Sequence, residues 1–554
     1  MHQSLTFCEK ATRIRLRVWR WQPPPRILLL LVVLLANGFA RKLAAEESQP
    51  TVLGVVAVDS LQSVRSQANW IGELVGSPGV AGMIDVFAPM VLGGTGLEAL
   101  DETRPAGVIV AVVDEEPVLQ GYVPATDATE LAKTLTKALA KVSAFVEIVA
   151  EGEWVIVSPK GKTVIVPVPE KYFHGITDRF SVGMKMFPAQ VPDTMRTQLY
   201  DAVKNGAENP LVAGSLDAEL ADTAGDSVRQ VFQQTAAVMI GLTVDSGDEE
   251  VVFETHFLAN KGSQAAAVLS GAAEVTPTVV LPKPVKADAV IASIQFAQAV
   301  TEEHWQTIEA ELEKMVSAVS FSGVDGGVVI DDDPNSAELA RAVQAAITEL
   351  IVGIVQPLSK SLLKAVSPTG VIDGCVMVEA AADDPIPKVV LGMRVADGHA
   401  FVSEIMPELK KLGLELKPPG EPSDGWQYHD RTMSVGSLTV AVTEEQVFAI
   451  FNAGEGETRL EFSENSSENF QPMFALNANI GPALHHPMLG AYDSDLAVLG
   501  EAFAGLNPQL QILVRPLQGG AAARVALNAD CVRFVAGIFL MAGASENVVD
   551  NIVE

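Results

Sequence analysis

Three cysteines in 554 residues, 6% aromatic side chains and 38 Lys and Arg against 69 Asp and Glu are the scarcities of this chain. Too few cysteines exclude a disulfide-built scaffold. The formal net charge of −31 excludes a nucleic-acid surface as the main business, because neutralising phosphates needs clustered cations. After the first 45 residues no hydrophobic run is long enough for a membrane span. Disorder is excluded in turn, since 48% hydrophobic residues supply ample material for a core. At roughly 100–200 residues per domain the length accommodates two to four domains.

The first 45 residues read as an export signal. Lys10, Arg13, Arg15, Arg17, Arg20 and Arg26 form a basic leader, followed by the unbroken apolar run from Ile27 to Ala36. Cleavage after Ala40 or after Ala45 fits the small residues beyond it. Ten apolar residues are short of the ~20 that a spanning helix needs. An uncleaved anchor extended through Phe39 and Leu43 is the alternative. The mature protein is then expected outside the cytoplasm, periplasmic or extracellular. Cys375 and Cys531 read as two separate buried thiols, with a disulfide between them as the alternative.

The rest of the chain repeats a grammar of strand, acidic turn, strand and helix. Val108 to Val113, Asp114-Glu115-Glu116-Pro117 and Val118 to Val123 lead to Asp127 and a segment with Leu131, Leu135, Leu139 and Val142 on one helical face. Asp127 with Glu130 matches a capping box. The pattern returns at Val376 to Glu379 and Val389 to Val395, before Asp397 and a segment with Phe401, Ile405, Leu409 and Leu412. Pro407 places the start of that helix near Ser403, where proline fits the first turn. Looser copies end at Asn260 and Asp530. The four cap positions recur about every 135 residues, the signature of internal duplication. Opening strands precede each copy at Val52 to Val58, Ser181 to Phe187, Ala289 to Phe296 and Met473 to Ile480. Trp154 and Trp426 mark a further strand pair shared by the first and third copies, with the pair after Trp154 ending near Val168.

The expected fold is α+β: antiparallel sheets covered by helices on one face, in two similar halves. Residues 46–274 form the first half and 289–545 the second. A Pro-rich linker, 275–288, joins them, and 546–554 is a tail. A solvated loop at Asp331-Asp332-Asp333-Pro334 precedes a helical segment from Ser336 to Leu363, and Gly454 to Asn469 is a second surface loop.

Templates for chemistry fail one after another. No His-Glu-x-x-His occurs, and His485-His486 are sequence neighbours that face different directions. Glu302-Glu303-His304 reads as an exposed helix start, and Asp325 with Asp331 to Asp333 lacks calcium-loop spacing. No Gly-x-Ser-x-Gly elbow exists. Gly161-Lys162-Thr163 follows Ile156 where a phosphate loop needs glycine, and reads as a hairpin turn. Gly94-Thr95-Gly96 is too close to the next strand for a crossover helix. Cys375 sits in a buried strand, unsuited to a nucleophile. The apolar segments Val532 to Met541 and Ile351 to Val355 read as core helices or as walls of a ligand groove.

Arg104-Pro105-Ala106-Gly107, a strand pair, and Val123-Pro124-Ala125-Thr126-Asp127 together resemble a group of exported proteins of unknown function from planctomycete-type bacteria. The resemblance covers mainly residues 98–170 and implies no catalytic residue. The third copy departs from it, having no Arg-Pro before its strand. The expectation is an exported, non-catalytic binding or scaffolding protein without catalytic, cofactor-binding or metal-binding residues and without a cofactor. Its partner is an unknown protein or apolar ligand, not nucleic acid. One alternative is an extracytoplasmic carrier of a lipid or peptide. Another is a hydrolase assembled from distant residues, in which His174, His256, His429 or His485 meets acids in a cleft.

Overall fold

The computed structural model describes residues 51–77, 98–113, 116–140, 143–163, 169–197, 232–273, 277–284, 289–300, 364–380, 387–411, 426–430, 438–451, 473–485 and 505–538, with a few isolated positions between them. The basic leader, Gly94-Thr95-Gly96, Glu302-Glu303-His304, Asp325, Asp331 to Asp333, residues 336–360, the loop 454–469, His486 and the tail 546–554 lie outside the described residues. The chain divides into two compact units: residues up to 270 with 503–510 and 517–554, and residues 271–502 with 511–516. Among the described residues no helix is long and apolar enough to cross a membrane.

The first unit contains β1 (Thr51–Val58), α1 (Leu61–Leu74), β2 (Ala106–Val113), β3 (Glu116–Pro124), α2 (Ala128–Ala138), β4 (Val146–Glu151), β5 (Trp154–Pro159), α3 (Glu170–Thr177), β6 (Val182–Met186), β7 (Thr235–Asp245), β8 (Glu250–Ala259) and α4 (Gln264–Ala273). Its strands lie in the order β4-β5-β3-β2-β1-β6-β7-β8, every neighbour antiparallel. Valine-rich strands such as AGVIVAVV in β2 suit a sheet that is apolar on both sides. The turn from β4 to β5 is two residues, Gly152-Glu153, with Gly152 at φ +60°, a backbone that glycine adopts without cost.

The second unit contains β9 (Val290–Ala299), β10 (Val371–Glu379), β11 (Lys388–Arg394), α5 (Gly398–Lys411), β12 (Trp426–Asp430), β13 (Leu438–Val442), β14 (Gln446–Phe451), β15 (Phe474–Asn479) and α6 (Ile480–His485). Its order is β12-β13-β14-β11-β10-β9-β15, again antiparallel throughout. β16 (Gln509–Leu517) follows, then β17 (Gly520–Asn528) and α7 (529–538). β17 pairs with β8 over nine positions, from Gly520↔Leu258 to Asn528↔Glu250. The last strand thus completes the sheet of the first unit.

The mostly antiparallel α+β architecture agrees with the sequence, but the helices do not keep to one face. In the first unit Leu131 and Leu135 of α2 pack on Val155 and Val157, whereas Phe173 and Ile176 of α3 pack with Trp154 and Ile156. Adjacent residues of β5 point to opposite faces, so α2 and α3 cover opposite sides of the sheet. In the second unit Phe401, Val402 and Ile405 of α5 cover Val447 on one face, and Val279 with Leu281 covers Phe448 and Ile450 on the other. Val279 belongs to the Pro-rich stretch, which is held down by side chains. Asp373 accepts from Thr278 N at 2.6 Å and from Thr278 Oγ1 at 2.7 Å, and Gln295 Nε2 donates to the Val279 carbonyl at 2.8 Å.

Three local readings are corrected. α5 begins at Gly398, not near Ser403, and carries Pro407 inside it. Asp397 Oδ1 caps it by accepting from Ala400 N, and burial of Phe401, Val402 and Ile405 outweighs the backbone bond that proline cannot donate. Asp127 caps α2 as expected, accepting from Glu130 N. Asn260 and Asp530 do not cap: Ser263 Oγ accepts from Ala266 N and Asn528 Oδ1 from Cys531 N. The Asn260 amide instead donates to the Gln233 carbonyl, and Asp530 Oδ2 accepts from Asn507 N. Finally, Trp154 opens β5, whose hairpin partner is the upstream β4, and residues 164–168 lie outside the described residues. Trp426 opens β12, at the far end of its sheet. The two tryptophans therefore hold different places.

The residues Arg104 to Gly107 prove architectural. The Arg104 guanidinium lies 4.9 Å from the Trp154 ring centroid and bonds Glu153 at 2.8 Å and Glu170. A Cβ at Gly107 would meet Cε1 of Phe173 at 2.7 Å, so glycine lets α3 seat its phenylalanine on β2. Cys375 and Cys531 are separate, free and buried. Burial pushes the Cys375 thiol up to about 12 and raises that of Cys531.

Candidate functional site

The register of the first sheet puts Lys185 beside Met239 and Met239 beside His256. These three side chains form one row across β6, β7 and β8, on the face that α3 covers. Two residues along each strand the next row begins with Gly183 and Gly241, and Phe180 occupies the room their missing side chains leave. Phe180 follows α3, whose Phe173 and Ile176 are fully buried; each such burial is worth about 1.5–3 kcal/mol. The end of α3 thereby stands over the row.

Beneath it lies a cavity of about 420 Å³, within the usual range for small-molecule sites. One side is formed by His174, Asp178 and Arg179, the other by Lys185, Met239, His256 and Leu258, with Ala237 and Leu517 completing the apolar part. Phe180 braces His256 edge-on, with ring centroids 6.0 Å apart.

His256 is 6% exposed. Arg179 Nη1 lies 3.5 Å from His256 Nδ1, and Glu254 Oε1 lies 3.2 Å from Nε2. The His256 ring thus lies between a guanidinium, which can only donate, and a carboxylate. Glu254 is registered opposite Arg524, which also pairs with Glu250 at 3.1 Å. On the other wall His174 Nδ1 is 3.3 Å from Asp178 Oδ1, an exposed pair one helical turn apart that adds little stability.

Two of the four histidines singled out from the sequence, His174 and His256, thus meet acids at one cavity. His429 on β12 and His485 at the end of α6 belong to the second unit. Among the described lining residues none carries a hydroxyl or thiol, and the carboxylate of Asp178 is the acid among them. Arg179, Lys185 and Glu254 were not legible as site residues, because antiparallel register brings Lys185 and Glu254 to these rows and the packing of α3 over them brings Arg179. The alternation Glu254, His256, Leu258 was the available signal.

The other candidates from the sequence serve structure. Gly161 turns at φ +72°, Lys162 is taken by Glu116, and Thr163 Oγ1 bonds Ser158 at 2.5 Å and Glu147 at 3.0 Å. Cys375, with its raised thiol, is closed off within β10. Among the described residues no three His, Cys, Asp or Glu side chains converge as a metal ion would require. Compared with models of protein families, with curated proteins and with solved structures, the chain matches none.

Proposed function

We propose that this is an exported, non-catalytic binding protein whose ligand site is the cavity beneath α3. The observation that carries the reading is the lining itself: a largely preformed concavity with an apolar floor and a few convergent polar groups. Export rests on the basic leader and its ten-residue apolar run. Native mass spectrometry of the protein recovered from its host tests the reading. A bound small molecule is expected, lost when Met239→Trp fills the cavity; recovery of the wild type without any adduct under gentle ionisation overturns it.

The two units are read as an internal duplication. Pairings β1–β2, β2–β3, β3–β5, β5–β4 and β1–β6 correspond to β9–β10, β10–β11, β11–β14, β14–β13 and β9–β15. In both units the aspartate-capped helix follows the third strand of this series. Exported proteins of the planctomycete type remain the resemblance that fits such a chain.

A hydrolase is the second reading, favoured by the convergence of the His174–Asp178 and His256–Glu254 pairs. It requires His256 to activate water, although both ring nitrogens are already engaged. Hydrolysis of an ester or amide panel, abolished by His256→Asn, would select it.

A further inference from the structure

In a chain with 69 acidic and 38 basic side chains, a lysine or arginine at a cavity wall has carboxylates in abundance to choose from. Most described arginines take one: Arg65 pairs with Glu102, Arg104 with Glu153 and Glu170, Arg394 with Glu445, Arg524 with Glu250. Arg179 and Lys185 do not. Arg179 meets His256 Nδ1, and Lys185 Nζ lies 5.4 Å from the Phe187 ring centroid; among the described residues neither reaches a carboxylate. Lys185 is partly exposed, and among the described residues its ammonium has no counter-ion. Both line the same cavity.

The rest of that cavity has the opposite character. Met239 is buried on its floor, and Leu258, on the same face of β8 two residues beyond His256, is 39% exposed. An exposed leucine beside a buried methionine in a concavity is apolar surface that a ligand can cover. Among the described lining residues the one acid, Asp178, lies beside His174, and Glu254, next to the cavity, faces His256 Nε2.

From this juxtaposition we infer that the ligand is an organic anion with an apolar body, its carboxylate or equivalent oxyanion held between Arg179 and Lys185 and its hydrocarbon laid over Met239, Leu258 and Leu517. This inference rests on the cavity being a binding site, and adds the chemical class of what it binds. A guanidinium forks onto two carboxylate oxygens and an ammonium supplies a mobile point charge. The protein's negative surroundings repel small anions in general, so the apolar body must supply part of the affinity.

Titration calorimetry of the mature protein with decanoate, decanol and decylammonium tests the inference. Decanoate is expected to bind about tenfold or more tightly than the other two. Arg179→Ala with Lys185→Ala should remove that preference, and Met239→Trp should block decanoate. If Met239→Trp does not fold, Leu258→Trp at the rim serves instead. Equal binding of decanol and decanoate, both blocked by the tryptophan, overturns the anion assignment while leaving the cavity a binding site. Absence of decanoate binding at millimolar concentration, or binding insensitive to either tryptophan, overturns it as well.

Discussion

The ring of Phe180 rests directly on the backbone of Gly241: a Cβ at position 241 would overlap Cγ, Cδ1 and Cδ2 of that ring. Gly183, the strand neighbour of Gly241, is limited by the same ring. Phe180 in turn stands edge-on to His256. Two glycines without side chains therefore determine where a cavity histidine sits. Gly241→Ala is expected to destabilise the protein by about 1–3 kcal/mol, the range for overpacking a filled site, in urea unfolding. It should also move the His256 ring resonances in an NMR spectrum; an unchanged midpoint and unchanged resonances would show that the contact has slack.

Glu379 and Lys388 face each other across β10 and β11, with Nζ to Oε2 at 3.5 Å and both side chains under 10% exposed at 6% and 8%. Removing one partner of a buried pair costs about 3–5 kcal/mol, whereas replacing both with apolar groups is often neutral. Lys388→Met should therefore lower stability by about 3 kcal/mol, and Glu379→Leu with Lys388→Met should restore most of it. Denaturant midpoints of the two variants decide.

Asp373, fully buried, gathers Thr278 N, Thr278 Oγ1 and Val279 N. Asp373→Ala leaves these donors unmet and should release the segment around Val279 from the sheet. Hydrogen exchange at Val279 is expected to accelerate at least about tenfold, with a loss of about 1–3 kcal/mol. Unaltered protection would mean that Gln295 and Gln446, which bond the Val279 and Thr278 carbonyls, hold the segment alone.

Burial raises the Cys375 thiol from 9.0 to about 12. The folded state then keeps a proton that the unfolded chain releases above pH 9. The associated stability is fully present below that pH and is lost as pH rises from 9 toward 12. Wild type should lose more stability across this window than Cys375→Ala, measured as the difference between the two pH profiles. Parallel profiles would refute the assignment.

Asp127 and Asp397 each accept from an amide of the first helical turn. Asp127→Ala and Asp397→Ala should each cost about 1 kcal/mol by thermal or urea unfolding, while Asn260→Ala should leave α4 intact because Ser263 caps it.

The strands were largely legible because valine-rich alternation is local: the segments around Val52, Val108, Val251 and Val376 all became strands. So was the helix behind Asp127, whose cap lies three residues from its target amide. Pairing was less so. Nothing near Trp154 in the sequence says that its strand turns back on β4, and Pro407 argued against a helix that Phe401 and Ile405 pin to the core. The cavity was least legible. Lys185, Met239 and His256 are far apart in the chain and become neighbours only through two antiparallel registers. A lysine that meets no carboxylate among the described residues looks like any other until its surroundings are seen.

The pairing of β17 with β8 carries a consequence for biogenesis. The first unit's sheet stays one strand short until the whole second unit has been synthesised and β17 delivered, and such loop closure has an entropic cost that slows it. During translation the edge of β8, with Phe253 47% exposed, offers unsatisfied backbone groups to any passing strand. The nascent chain thus calls for a chaperone, or for a net charge large enough to keep its copies apart.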